Sequence, residues 1–181
     1  MENMNSKIVL LSGSPRRGEN TDKLAAAFIE GAESAGNTVT LYRAADMKIS
    51  GCLGCEHCTN NNGICVQNDD MTPVIETLRN ADTLVLASPV YYCSITAQLK
   101  LLTDRAYALH NQKTNIKKTA MLLTCADDPG TADGMLPMYK ACAVHFKWEV
   151  TGIIIAGGLF GDVRIDGRPE LEQARKLGRE I

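Results

Sequence analysis

Ile8-Val9-Leu10-Leu11-Ser12-Gly13-Ser14-Pro15-Arg16-Arg17-Gly18-Glu19-Asn20-Thr21 decides the fold. Four consecutive apolar residues run into a turn of serine, glycine and proline. A run that short, with no polar alternation, reads as a strand buried on both faces, as in a parallel sheet. From Thr21 the period changes. Leu24, Phe28, Gly31 and Ala35 form one helical stripe, and Gly36-Asn37 closes it.

The same unit recurs along the chain. Thr38–Tyr42 alternates and is rich in β-formers, which predicts a second strand. Gly51–Asn68 shows no period and reads as a long loop. A helix follows, capped by Asp70 or Thr72, with Pro73 in its first turn. Thr83–Ala87 is a third buried strand ending at Ser88-Pro89, and Ile95 to about Ala108 is a helix. Thr119–Thr124 is a fourth strand, Leu136 to about Lys147 a helix, and Val150–Ala156 a fifth strand. Pro169 opens a last helix with Leu171, Ala174 and Leu177 turned inward. Strands separated by helices predict a parallel sheet covered on both faces, with right-handed crossovers. No repeat or interdomain linker interrupts the pattern, so residues 1–181 read as one domain, with 48–70 inserted as a cysteine-rich loop. Ligands of doubly wound sheets sit at the carboxyl ends of the strands. The loops after the first, third and fourth strands are therefore where function is expected.

Composition narrows the classes. The 181 residues carry 19 Lys and Arg against 21 Asp and Glu, a net charge of −2, which leaves no basic footprint for nucleic acid. No apolar run is long enough for a bilayer span. The polar start, Met1 to Lys7, lacks the layout of a signal peptide. Seven cysteines, an odd number, point to a reduced cytoplasmic protein rather than a disulfide scaffold.

The Ser12–Thr21 loop suits a phosphate. Unpaired N–H groups at a helix N-terminus favour an anion. Ser12, Ser14, Asn20 and Thr21 add donors, and Arg16 and Arg17 add charge. A plain helix cap would need only one such residue. The loop is neither a P-loop nor a dinucleotide fingerprint, because its glycines do not fit those spacings. After the third strand, Ser88-Pro89-Val90-Tyr91-Tyr92-Cys93-Ser94 makes a flat, partly apolar wall suited to a planar conjugated ring. Together the two loops fit a mononucleotide with an aromatic ring.

Ser12–Thr21 resembles the S-x-S-P-R-x-x-x-N-T loop of the flavodoxin-like NAD(P)H-dependent FMN reductases. Pro89-Val90-Tyr91, Ala97-Gln98-Leu99-Lys100 and Asp104-Arg105 are similar to that family's P-V-Y, A-Q-L-K and D-R motifs. Cys52-x2-Cys55-x2-Cys58-x6-Cys65, followed by Asp69-Asp70-Met71, resembles its iron–sulfur flavoprotein branch. The similarity covers about residues 6 to 160. It implies a flavodoxin-like three-layer sandwich with strand order 2-1-3-4-5, non-covalent FMN, NAD(P)H as reductant, and a homodimer or tetramer with flavin near the interface. Carried onto this chain, the resemblance assigns the FMN phosphate to Ser12, Ser14, Pro15, Arg16, Asn20 and Thr21. It assigns the ring to Pro89, Val90, Tyr91 and Tyr92. Thr124, Cys125, Ala126, Asp127 and Gly130 would close the other edge, where many relatives are richer in glycine.

Three readings stay open for the cysteine loop. Four thiolates between Cys52 and Cys65 could hold a [4Fe–4S] cluster, with Gly51, Gly54 and Gly63 letting the backbone wrap. Zinc could bind, with His57 in place of one cysteine. The thiols could also be reduced and metal-free. Cys142 is expected in the core. Lys100 and Asp104 fit an ion pair on one helix. Asp69-Asp70 reads as a capping pair, and His110 and His145 as isolated surface or packing residues. The expected activity is FMN-dependent transfer from NAD(P)H to a flavin, quinone or other small acceptor. The alternative is an iron–sulfur flavoprotein relaying electrons between partner proteins.

Overall fold

A computed structural model describes residues 5–181. Most of the polar start, Met1 to Met4, lies outside the described residues. Strands β1 (Lys7–Ser12), β2 (Thr38–Arg43), β3 (Thr83–Pro89), β4 (Lys118–Thr124) and β5 (Glu149–Ala156) form one parallel sheet in the order β2-β1-β3-β4-β5. Both the class and the strand order match the expectation from resemblance.

Two cores follow from strand alternation. Ile8 and Leu10 of β1, Val85 of β3 and Leu122 of β4 face one side. There they meet Leu24 and Phe28 of α1 (Asn20–Ser34) and Ala174 of α6 (Pro169–Glu180). Val9, Leu11, Leu86 and Met121 face the other. They pack on α3 (Met71–Arg79), α4 (Ala97–Arg105) and α5 (Leu136–Phe146). Full burial of a side chain such as Phe28 contributes about 1.5–3 kcal/mol. A one-residue slip would turn either set toward the wrong layer.

The structure departs from the sequence reading at several ends. The crossover helix before the fourth strand begins at Ala97, not Ile95, because Thr96 is extended (φ −63°, ψ 152°) and its side chain caps α4 through Leu99 N–H at 3.2 Å. Past Arg105 the chain tightens into a 3₁₀ turn, Ala106–Leu109. The cysteine loop contains one helical turn, α2 (His57–Asn60). At α3 Asp70 holds the N-cap position, as expected, but its side chain makes no cap bond. Asp69 Oδ1 accepts from Met71 N–H at 3.1 Å, while Asp70 turns to Lys48 N–H at 2.6 Å. Cys142 is exposed on α5 rather than buried, because the core face of α5 is carried by Tyr139 and Ala143.

Candidate functional site at the strand ends

The loops after β1 and β3 are sewn together by buried polar groups. Gly13 N–H donates to Ala87 O at 2.8 Å. Thr96 Oγ1 donates to Gly13 O at 2.8 Å, and Thr96 N–H donates to Ser88 Oγ at 3.1 Å. Gly13 has to be glycine, since a Cβ there would run into Thr96 Oγ1 and Leu99 Cβ. On the other side Val90 N–H donates to Thr124 O at 2.8 Å, and Cys125 N–H to Ala156 O at 2.9 Å. These bonds carry the parallel ladders past their last residues and fix three loops around one cavity of about 470 Å³.

Ser14, Arg16, Asn20, Thr21, Pro89, Val90, Tyr91, Thr124, Cys125 and Ala126 all line that cavity. Ser12 and Pro15 do not line it: Pro15 is exposed, and Ser12 is buried, with Oγ accepting from Ser14 N–H at 3.4 Å. Glu19 occupies the N-cap of α1 but makes no side-chain cap, so among the described residues the first N–H groups of the helix, whose start borders the cavity, have no side-chain partner. Arg16 makes no ion pair among the described residues, whereas Arg17 turns away to Asp46 at 2.7 Å. Thr21 and Thr124 hydroxyls share a buried hydrogen bond of 2.6 Å. The Asn20 side chain is engaged elsewhere. Its amide donates to Val163 O at 3.0 Å and accepts from Ile165 N–H at 3.0 Å. It ties the helix start to the loop after β5.

Sequence patterning does not mark that loop as part of the site. Leu159, Phe160, Gly161, Asp162 and Arg164 complete the cavity wall, and Arg164 pairs with Glu19 at 3.4 Å. Asn20 carries no sequence signal for this, because its partners are backbone groups more than 140 residues away. Of the remaining edge residues, Asp127 O accepts from Gly158 N–H at 2.6 Å. Gly130 N–H donates to Asp128 Oδ1 at 2.8 Å, outside the cavity.

The third-strand wall ends in a two-residue hairpin. Tyr91 and Ser94 exchange both backbone bonds, at 2.9 and 3.0 Å. Tyr92 and Cys93 between them have φ of 49° and 57°. Such a loop requires positive φ at both positions, which Asn-Gly supplies without strain and a tyrosine does not. Tyr92 is fully exposed, at 105%, and points away from the cavity that Pro89, Val90 and Tyr91 line. Cys125 is buried beside the cavity. Burial pushes its thiol up, Thr131 counters in part, and Asp128 and Asp127 push further up, so it stays protonated.

The cysteine loop gathers its four thiols apart from the strand-end cavity. Cys52, Cys55, Cys58 and Cys65 all line one small cavity of about 20 Å³, together with Arg105. The backbone bends there through Gly54, Glu56 and Gly63, with φ of 62°, 56° and 77°. Among the described residues, no three His, Cys, Asp or Glu side chains converge as a single metal ion would need. Arg105, at 2% exposure, enters the sequence reading only as part of the D-R motif, with no sign of its burial or its partner. It is paired with Asp69 rather than joining the exposed Lys100–Asp104 pair. Burial works against the Asp69 carboxylate, but hydrogen bonds from Arg105, Ser50 and Met71 outweigh it and hold the carboxyl below its ordinary value. His110 and His145 are not isolated: they stack at 5.2 Å within a row that includes Tyr107 and Phe146.

Residues 6–152 match the NADPH-dependent FMN reductase family. This chain belongs to that family. As an FMN reductase-type protein it is an NAD(P)H-dependent oxidoreductase. An iron–sulfur flavoprotein of Archaeoglobus fulgidus is 39% identical over 179 residues, 97% of this chain and 78% of that protein. One from Methanocaldococcus jannaschii is 34% identical over 188 residues, 97% of this chain and 95% of the other. One from Methanosarcina thermophila is 35% identical over 111 residues, 61% of this chain, and the match spans 58% of that protein. Among solved structures, an NAD(P)H:quinone oxidoreductase from Methanothermobacter marburgensis superposes with a TM-score of 0.76 at 21% identity, covering 97% of this chain and 96% of that one. At that identity the likeness speaks for the fold, and the strand-end cavity of this FMN reductase-type chain lies where doubly wound sheets put their ligands.

Proposed function

We propose that the strand-end cavity seats FMN, with Ser14, Arg16 and Thr21 around its phosphate, while Ser12 braces Ser14 and the Asn20 side chain holds the loop after β5. The chain would take hydride from NAD(P)H and reduce a flavin, quinone or other small acceptor. The observation that carries this is the open N-terminus of α1 facing the Pro89–Tyr91 wall across one cavity. The cavity falls within the size range of cofactor pockets. Bound FMN supplies the hydride and electron chemistry. The protein's own part is placement. Helix N–H groups and Arg16 neutralise one phosphomonoester. Pro89, Val90 and Tyr91 flank the ring, and Thr124, Cys125 and Ala126 close its other edge, whereas Tyr92, Asp127 and Gly130 stand outside the cavity wall. Asn20 keeps the Val163–Ile165 loop over the site.

The second reading adds a redox centre. Cys52, Cys55, Cys58 and Cys65 would hold one [4Fe–4S] cluster, whose role is one-electron transfer to an acceptor, small molecule or protein. Two things favour it: the four thiols are gathered along one small cavity in a donor set of the kind such clusters take, and relatives matching nearly the whole chain are iron–sulfur flavoproteins. The remaining parts of the proposal are a single FMN domain over 1–181, a homodimer or tetramer with flavin near the interface, no nucleic-acid or membrane partner, and a cytoplasmic location. Among the described residues no helix is long and apolar enough to cross a membrane.

Purification without oxygen, followed by a visible spectrum, flavin and iron analysis, and NAD(P)H oxidation, tests both readings together. One FMN with about four irons per chain supports the two-centre reading. FMN without iron after anaerobic reconstitution leaves the simple reductase. Absence of flavin binding overturns both.

A further inference from the structure

Arg105 is too deeply placed for an ordinary helix-terminal arginine. Its side chain is 1% exposed, and arginine is almost never fully buried unless paired. The pairing is with Asp69, through Nη1 to Oδ2 at 2.6 Å and Nη2 to Oδ1 at 3.0 Å. Two further donations leave that pair. Nη1 donates to Ser50 O at 2.9 Å, and Nη2 donates to Cys65 Sγ at 3.4 Å. Asp69 in turn accepts from Ser50 N–H at 3.2 Å. Lys48 and Asp70 pair alongside, N–H to Oδ2 at 2.6 Å and N–H to carbonyl at 3.4 Å.

The geometry has two separable parts. The contacts to Ser50 and Asp69 close the base of the cysteine loop, as any structural clamp would. The contact to Cys65 also ties the loop to α4, but it has a second consequence. It aims a cation and an N–H donor at one sulfur in the wall of the four-cysteine cavity. Among the four cysteines, Cys65 alone is hydrogen-bonded by a charged side chain within the described residues; Cys52 Sγ meets only Gly54 N–H, at 3.5 Å. Hydrogen bonds to ligand sulfurs and local charge are what set an iron–sulfur potential. A donor and positive charge at sulfur stabilise the more negative, reduced state. The nearby Asp69 carboxylate opposes that influence.

We propose that Arg105 is a positioning residue for the cluster: it presents the Cys65 sulfur as a ligand and raises the cluster's reduction potential, with Asp69 as the opposing charge. This rests on the cluster reading above. It goes further in assigning a specific electrostatic role to an ion pair whose arginine lies on α4, outside the cysteine loop.

The experiment is a spectroelectrochemical titration of anaerobically reconstituted protein, with the bound FMN of the same sample as internal reference. Wild type is compared with Arg105→Lys and Asp69→Asn, and iron is counted in each. Arg105→Lys loses the planar fork and with it the donor at Cys65, so the cluster shifts to lower potential. Asp69→Asn leaves the arginine charge uncompensated, so the cluster shifts to higher potential. The FMN potentials stay at the wild-type value, because the flavin cavity is a separate group of residues. Opposite shifts support the inference, since a purely structural clamp has no reason to give opposite signs. Unchanged potentials with iron retained overturn it while leaving the cluster in place. Loss of iron from Arg105→Lys, with Asp69→Asn keeping its iron at an unchanged potential, reduces Arg105 to a loop clamp and also overturns it. No iron in wild type overturns the cluster reading and the inference with it.

Discussion

The strand-end cavity and the cysteine loop are built in opposite ways. The cavity is an extension of the sheet: backbone bonds at Gly13, Val90 and Cys125 continue the ladders of β1, β3 and β4. Its walls come from loops distant in sequence. The cysteine loop is one contiguous segment hung from the sheet, closed at its base by Lys48–Asp70, Ser50–Asp69 and the buried Arg105. The first site is thus as stable as the fold. The second depends on a few polar contacts at its base, the Arg105–Asp69 ion pair being the buried one. Parallel topology preforms a cofactor site without further ordering of loops, whereas a loop site needs its own anchor.

From that division, damage to one site should spare the other. The largest expected effect is all-or-none. On the proposed cluster reading, Cys52→Ala or Cys65→Ala abolishes the broad iron–sulfur absorbance, about four irons per chain, with FMN content unchanged; parallel loss of FMN would show that the two loops are not independent. Next comes the anchor. Arg105→Met leaves Asp69 in a largely buried place without its partner, its side chain being 17% exposed. Urea unfolding should show a loss of about 3 kcal/mol, and limited proteolysis should open the 48–70 loop first.

The anchor should also have a pH signature. The Asp69 carboxyl is held below its ordinary value, so the folded chain takes up that proton less readily than the unfolded chain. The stabilisation is complete above the unfolded value of about 3.9 and is lost as pH falls through the lower folded value. Asp69→Asn should therefore flatten the stability curve below about pH 4 and leave its slope between about pH 6 and 8 unaltered. Acid unfolding followed by circular dichroism reads this.

The smallest effect sharpens the cavity side. Replacing Tyr92-Cys93 by Asn-Gly relieves two positive-φ residues and should stabilise the fold by about 1 kcal/mol. If Tyr92 reaches a flavin at a subunit interface, the same change should weaken FMN or dimerisation, measured by calorimetry and sedimentation. A gain in stability with neither loss would assign the exposed tyrosine no part in the site.

Much of this is legible in the sequence, for identifiable reasons. Buried parallel strands announce themselves as short apolar runs, so Ile8–Leu11 and Thr83–Ala87 need no tertiary information. The cavity residues from Ser14 to Thr21 and from Pro89 to Tyr91 are legible because strand ends are where such sheets bind. The loop Leu159–Arg164 is not, because it has no periodicity and is recruited by Asn20 through backbone groups. Arg105 misleads for a related reason. Its sequence neighbour Asp104 looks like a partner, but Asp104 faces solvent with Lys100 while Arg105 turns inward to Asp69. The clustered histidines fall in the same class: His110 and His145 meet only once α5 packs beside the 3₁₀ turn.

The central claim is that the open start of α1 and Arg16 hold a phosphomonoester. Calorimetric titration of flavin-free protein with FMN and with riboflavin, for wild type and Arg16→Ala, tests it most directly. With charge-assisted bonds at about 1.5–3 kcal/mol each, FMN should bind at least about a hundredfold more tightly than riboflavin. Arg16→Ala should cost FMN roughly tenfold to a hundredfold and leave riboflavin unchanged. Equal affinity for the two flavins in wild type, or an equal loss for both in the variant, would contradict the account.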